Sequence, residues 1–198
     1  MYRLDEIEKI HTELGIKITP EQLLMICDVL LQITPCNLLV FGVGYDTEFW
    51  IQNNRAGRTV FLEHYQEWID LTTKKTPKAE VYKVEYTTLR PEWQEILHQS
   101  KRLTMEIPDT TRNVKWDIII VDAPKGHTDA DPGRIQSIFT ARQIISHCGH
   151  IFVHDTQRPV ENTYCTALLK KENFIESVGG HTAKTGTFTE LSHYHIKG

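Results

Sequence analysis

The chain has 198 residues, 40% hydrophobic and 24% charged, enough for one domain with a full core, and a formal charge of −4 with acids and bases mixed along its length. It has no Lys/Arg block of the kind that tracks a phosphate backbone, and its longest apolar runs, LLVFGV and DIIIVDA, are strand-sized, so neither nucleic acid nor membrane is an expected partner. The opening MYRLDEIEKIHTELG lacks the apolar core of a secretory signal, and Cys27, Cys36, Cys148 and Cys165 show no C-x-x-C or zinc spacing, so a cytoplasmic chain with reduced, mostly buried thiols is expected.

Two helices are predicted to open the chain. LDEIEKIHTEL repeats its apolar residues at helical spacing, and TPEQLLMICDVLLQI offers Thr19 as N-cap, Pro20 at the first helical position and Glu21 in the first turn. Strand and helix patterns then alternate. NLLVFG, RTVFLE, AEVYKVEY, WDIIIVDA and GHIFVHD are β-rich apolar runs, and DTEFWIQNN, YQEWIDLTTK, PEWQEILHQS and PGRIQSIFTARQIISH are the helical stretches between them. RPVENTYCTALLKKE reads as a further helix, followed by two strands, NFIESVG and GTFTELSHYHI, joined by a Gly/Thr-rich turn. No repeat or linker divides residues 1–198, which are expected to form a single domain, residues 1–35 carrying the N-terminal helices. A doubly wound sheet ending in a hairpin is similar to the class I methyltransferases. The expected fold is α/β, three-layered and Rossmann-like, with a mostly parallel seven-stranded sheet and a C-terminal antiparallel hairpin.

Ligands of such sheets sit beyond the carboxyl ends of the strands. Gly42 and Gly44 follow the first strand, where missing side chains let backbone approach a ligand. A dinucleotide fingerprint needs a third glycine, but Thr47 stands there, preceded by Asp46. An acid at a helix start repels a diphosphate and suits a cationic ligand such as S-adenosylmethionine, which carries a sulfonium and an ammonium and no phosphate. Glu63 ends the second strand 21 residues after Gly42, where a carboxylate accepts from ribose hydroxyls in either class of cofactor. Tyr86, at the end of the third strand pattern, joins Gly42, Gly44, Asp46, Glu63 and Asp122 as a candidate cofactor contact.

The later strand ends carry Asp122 and, further on, His154 and Asp155, three candidates for a general base that takes the acceptor's hydroxyl proton during methyl transfer. Asp122 and Asp155 are also candidate ligands for a divalent cation, since catechol-type O-methyltransferases hold one at these two strand ends. In DADPGR, Asp131 and Pro132 read as cap and first residue of a helix; Arg134 then falls in the first turn, against the helix dipole. Arg134, Arg158, Lys125 and His127 are the candidate contacts for an acceptor, the two arginines as carboxylate clamps or as partners of neighbouring acids. Trp50, Trp68 and Trp93 read as core, Trp116 is undecided, and His181, His193 and His195 read as surface or packing residues.

Together PCNLLVFGVGYDTEFW, GRTVFLE, VEYTT, WDIIIVDAPKGHTDADPGR and IFVHDTQRPVE resemble the glucuronoxylan 4-O-methyltransferase family, from about residue 19 almost to the C-terminus. The resemblance implies S-adenosylmethionine-dependent methylation of a hexuronic acid hydroxyl, typically the 4-position of glucuronic acid on xylan. It also implies a cofactor site at Gly42, Gly44, Asp46 and Glu63 and a reaction centre around Asp122, His154 and Asp155. The chain departs from the family where plant members carry a membrane anchor, where His127 replaces an aromatic after the AP-x-G loop, and where Gln157 replaces a second acid in HDTQR. The acceptor expected is a uronic-acid-containing saccharide or a smaller glycoside. The alternatives are a metal-assisted O-methyltransferase of a small phenolic or other metabolite, a non-catalytic S-adenosylmethionine-binding protein and, more distantly, a dehydrogenase. The sequence leaves the oligomeric state open.

Overall fold

The structure, a computed structural model, describes residues 1–197. Helix α1 (Leu4–Leu14) stops at Gly15, whose φ of 70° is left-handed. Helix α2 (Pro20–Ile33) starts as its sequence demands: Thr19 Oγ1 accepts from the Gln22 amide, and the Gln22 side chain accepts from the Thr19 amide at 3.0 Å. The Gln22 Nε2 also donates to the Val178 and Thr189 carbonyls, tying α2 to the C-terminal hairpin.

The strands are β1 (Asn37–Phe41), β2 (Arg58–Glu63), β3 (Glu80–Lys83), β4 (Trp116–Val121), β5 (Ile145–His154), β6 (Phe174–His181) and β7 (Phe188–His195). They form one seven-stranded sheet in the order β3-β2-β1-β4-β5-β7-β6, parallel from β3 to β5, with β7 antiparallel to both neighbours. Continuous apolar strands follow from burial on both faces. Leu39, Phe41, Ile119 and Val121 enter one core; Leu38, Val40, Ile118 and Ile120 enter the other, beneath α1 and α2. Helices α3 (Thr47–Asn53), α4 (Gln66–Lys75) and α8 (Ile135–Ile144) connect the strands. The parallel order puts the ends of β1, β2, β4 and β5 on one edge, with β1 and β4 at the centre.

Several expected elements differ. The helix expected over PEWQEILHQS is a 3₁₀ turn, Arg90–Glu92, followed by α5 (Trp93–Ile96), with α6 (Ser100–Leu103) and α7 (Asp109–Arg112) beyond. The Tyr164 hydroxyl donates to the Trp93 carbonyl at 2.8 Å, tying α5 to a later part of the chain. The PGR helix begins later, at Ile135, so Asp131 caps no helix and instead accepts from the amides of His127 and Thr128, closing a loop turn. Its C-terminal end is cut at Ile144, where β5 takes over. RPVENTYCTALLKKE forms α9 (Pro159–Tyr164) and then a π turn, Cys165–Leu169. Trp50 and Trp116 are core residues, whereas Trp68 is half-buried and faces a cavity. Cys27, Cys36 and Cys165 are buried and Cys148 is exposed, all with free thiols. Among the described residues no helix is long and apolar enough to cross a membrane.

Candidate functional site

A cavity of about 160 Å³, open on one side, lies over the ends of β1, β2 and β4. Its floor depends on Gly42. This residue has φ of 112°, and a Cβ there would lie 3.2 Å from the Cβ of Ala123, so glycine lets the loops after β1 and β4 touch. Gly44 donates to Thr47 Oγ1 at 3.0 Å, and a Cβ at Gly44 would come within 3.0 Å of the Asp46 carboxylate.

The two acids named for the cofactor line this cavity in different states. Asp46 accepts from the Trp50 indole N–H at 2.8 Å, and burial, with the nearby charge of Asp122, pushes its carboxyl up to about 6. Glu63 is only 4% exposed. Its Oε1 accepts from the amides of His64 and Tyr65 at 2.7 and 2.9 Å, and its Oε2 from the Val43 amide at 3.2 Å. Burial alone would raise its pKa, but these hydrogen bonds and the His64 side chain hold it below the usual carboxylate range. With one partner on Oε2, that oxygen keeps acceptor capacity for a ligand hydroxyl.

At the β4 end, Asp122 Oδ1 lies 2.8 Å from His154 Nδ1 and 3.1 Å from the Arg134 guanidinium, and Oδ2 makes no hydrogen bond among the described residues. A carboxylate only accepts, so His154 Nδ1 carries the proton in this contact and donates it. Burial raises the Asp122 pKa, but the charges of His154 and Arg134 outweigh it and the net shift is downward. Asp122 lines the cavity; His154 does not, and its Nε2 is buried without a partner. Asp155, 3% exposed, sits at φ of 67°, a strained setting for a residue with a side chain. Arg134 and Arg158 hold its Oδ2 at 2.6 and 2.9 Å. Against the cost of burial, the charges of Arg134, His154 and Arg158 lower its pKa to about 2.

These contacts correct two expectations. Arg134 does not face the cleft as a substrate clamp. It is buried, donating to the Val121 and His154 carbonyls at 3.2 and 2.6 Å and pairing with Asp155 and Asp122, so the strand ends use its donors. For the same reason Asp122 and Asp155 as arranged do not fit a divalent cation between them: the Arg134 guanidinium already bridges the two carboxylates. Among the described residues no group of three or more His, Cys, Asp or Glu is placed to hold a metal ion.

Of the remaining candidates, Lys125 and His127 lie on the loop after β4. A Cβ at Gly126 would meet the Gly133 Cα at 3.2 Å, so the loop folds tightly on itself, and Arg90 ties its far side through the Thr128 carbonyl and Asp129. Lys125 and His127 are exposed along it, and Arg158 donates to the His127 ring at 3.1 Å. Tyr86 does not line the cavity. Its hydroxyl accepts from Ser137 and its ring stands edge-on to His64 at 5.4 Å, so it supports the wall.

His64, Tyr65, Trp68, Tyr45 and Lys17 line the cavity and were not among the sequence candidates for it. The aromatic cluster HYQEW directly after Glu63 was the signal that could have found three of them.

Comparison with known proteins places this geometry. The family model described as IRX15/IRX15L/GXM matches residues 21–106 and 101–183. The chain is 33% identical over 184 residues to Arabinogalactan O-methyltransferase 2 of Arabidopsis thaliana, covering 80% of this chain and 63% of that protein. It is 34% identical over 166 residues to Glucuronoxylan 4-O-methyltransferase 3 of the same plant, covering 74% and 56%. The chain thus spans somewhat over half the length of these relatives. Among solved structures, a TehB-like SAM-dependent methyltransferase from Corynebacterium glutamicum superposes with TM-score 0.55 at 10% identity, covering 96% of this chain and 94% of that one. Human Methyltransferase-like protein 13 in complex with SAH gives 0.54 at 12%, covering 90% and 83%. On a class I methyltransferase fold, and with the family model matched across both halves of its sheet, the chain belongs to the IRX15/IRX15L/GXM family.

Proposed function

We propose that the chain is an S-adenosylmethionine-dependent O-methyltransferase whose acceptor is a hydroxyl of a uronic-acid residue in a glycan or glycoside. The observation that carries this reading is the placement of Asp122: its carboxylate borders the same cavity as Gly42, Asp46 and Glu63. The cations Lys125 and Arg158 stand on the adjoining loop and strand end. The methylations named for the plant relatives support the saccharide acceptor.

Bound S-adenosylmethionine supplies an electrophilic methyl group on a sulfonium. Glu63 Oε2 would hold the ribose hydroxyls, and the Asp46 carboxylate would attract the positive end of the cofactor. Asp122 Oδ2 would take the proton of the acceptor hydroxyl and so make that oxygen the stronger nucleophile toward the methyl group the cofactor would supply. His154 is a positioning residue: its Nδ1–H fixes Oδ1 and so aims Oδ2. Lys125 and Arg158 hold the sugar carboxylate. Asp155, held far below its usual range, is an anchor for the arginines rather than a base.

Asp46 makes cofactor binding depend on pH. Only its carboxylate form attracts a cation, and its pKa is raised to about 6, so affinity falls as pH drops through 6. With the competent fraction near a tenth at pH 5, S-adenosylmethionine binds about tenfold more weakly there than at pH 7. Calorimetry across this range checks it, and Asp46→Asn removes the step.

The activity is tested by transfer of a labelled methyl group to uronosyl oligosaccharides, with neutral sugars and catechols as controls. Label on uronosyl acceptors alone supports the reading; label on catechols, dependent on an added divalent cation, refutes it.

A further inference from the structure

Lys125 and Tyr65 meet across the cavity mouth. Tyr65 follows β2 and Lys125 follows β4, strands that lie on opposite sides of β1 and so about 10 Å apart. Both residues are exposed and line the cavity, and the Lys125 Nζ sits 5.0 Å from the centroid of the Tyr65 ring. The Nζ makes no ion pair or hydrogen bond among the described residues, so the ring is its one partner. The His64 ring lies against Tyr65, centroids 3.7 Å apart and tilted by 44°. The Tyr65 amide donates to Glu63 Oε1 at 2.9 Å, which fixes the tyrosine beside the carboxylate assigned to the ribose.

A nucleoside whose ribose reaches Glu63 carries its base to the neighbourhood of Tyr65, where a flat base and an ammonium compete for one ring face. Base–aromatic stacking is the stronger of the two contacts at an exposed site. We propose that the nucleoside displaces Lys125 from Tyr65 and thereby frees it, on the loop that also bears His127, to bind the acceptor's carboxylate. Cofactor and acidic acceptor then bind cooperatively, cofactor first, with Tyr65 as the coupling residue. This inference rests on the methyltransferase reading above.

Two measurements test it. Mass-spectrometric mapping of lysine acetylation on the whole chain, with and without S-adenosylhomocysteine, reads Lys125 directly. Release from the ring raises its labelling several-fold, whereas mere covering by the nucleoside lowers it, and a fall or no change overturns the inference. Calorimetry with a xylotetraose bearing one glucuronosyl residue should then show roughly fivefold tighter binding when S-adenosylhomocysteine is present. Unsubstituted xylotetraose should show no such gain, and Tyr65→Leu should abolish it. Equal coupling for the neutral sugar, or coupling that survives Tyr65→Leu, overturns the inference while leaving the methyltransferase reading intact. Failure of S-adenosylhomocysteine to bind overturns both.

Discussion

Asp122→Asn is expected to lower turnover by about 10²- to 10⁴-fold, the range typical for loss of a general base, while S-adenosylhomocysteine binding stays within a few-fold of wild type. The amide keeps the size and an acceptor oxygen for His154 Nδ1–H, which lies 2.8 Å from Oδ1, but cannot take a proton from the acceptor. His154→Ala is expected to act through Asp122 rather than beside it. It removes the donor that aims the carboxylate and part of the positive charge that lowers its pKa, so the residual activity should shift its acid limb to higher pH. His154→Asn, with a donor of its own, should recover part of the rate. Full activity of Asp122→Asn would remove Asp122 from the chemistry, and an unshifted profile in His154→Ala would remove the coupling.

The second large effect is on folding. Arg134→Met is expected to destabilise the protein by about 3–5 kcal/mol, the usual consequence of removing one partner from a buried ion network. The methionine fills volume but leaves Asp155 with Arg158 as its one arginine partner and the Val121 and His154 carbonyls without the guanidinium donor. For a chain of this length the midpoint of thermal unfolding falls by on the order of 10 °C. Arg134→Lys keeps the charge and loses the fork, so an intermediate loss is expected. The network also has a signed acid dependence. The Asp155 pKa is about 2 in the folded protein against 3.8 for the free side chain, so the linked stabilisation is complete above pH 4 and lost as pH falls from 4 towards 2. That shift corresponds to about 2 kcal/mol. Denaturant titrations between pH 2.5 and 6 measure it, and most of it should vanish in Arg134→Met. A variant as stable as wild type would show that the guanidinium contributes nothing net.

Most of the sheet was legible because its strands bury both faces: LLVF, VFL and IIIV are uninterrupted apolar runs within β1, β2 and β4, and the polar residues that follow them therefore had to fall at one edge. This is why Glu63 and Asp122 could be placed beside Gly42 from sequence alone. What resisted prediction was the direction in which side chains turn. Arg134 conflicted with the helix dipole, a true signal, but nothing local showed that its guanidinium turns inward to four acceptors on β4 and β5 and the residues after them. Asp46 was legible as an acid near a cation site, whereas its tie to Trp50, one helical turn away, converts an open charge into a half-buried one. The helix expected after Pro91 is broken between Ile96 and Ser100, and nothing within PEWQEILHQS marks that break. Trp68 and Tyr65 fall in an apolar helical pattern that reads as core, so their exposure to the cavity depended on where α4 lies over β2.

The most direct test is calorimetric titration of the folded protein with S-adenosylmethionine and S-adenosylhomocysteine at neutral pH, with NAD as control. The expected result is one nucleoside bound per chain for both sulfur compounds, little for NAD, and loss of both signals in Glu63→Ala. Absence of heat with either sulfur compound, or preference for NAD, would contradict the assignment of the cavity and every catalytic role built on it.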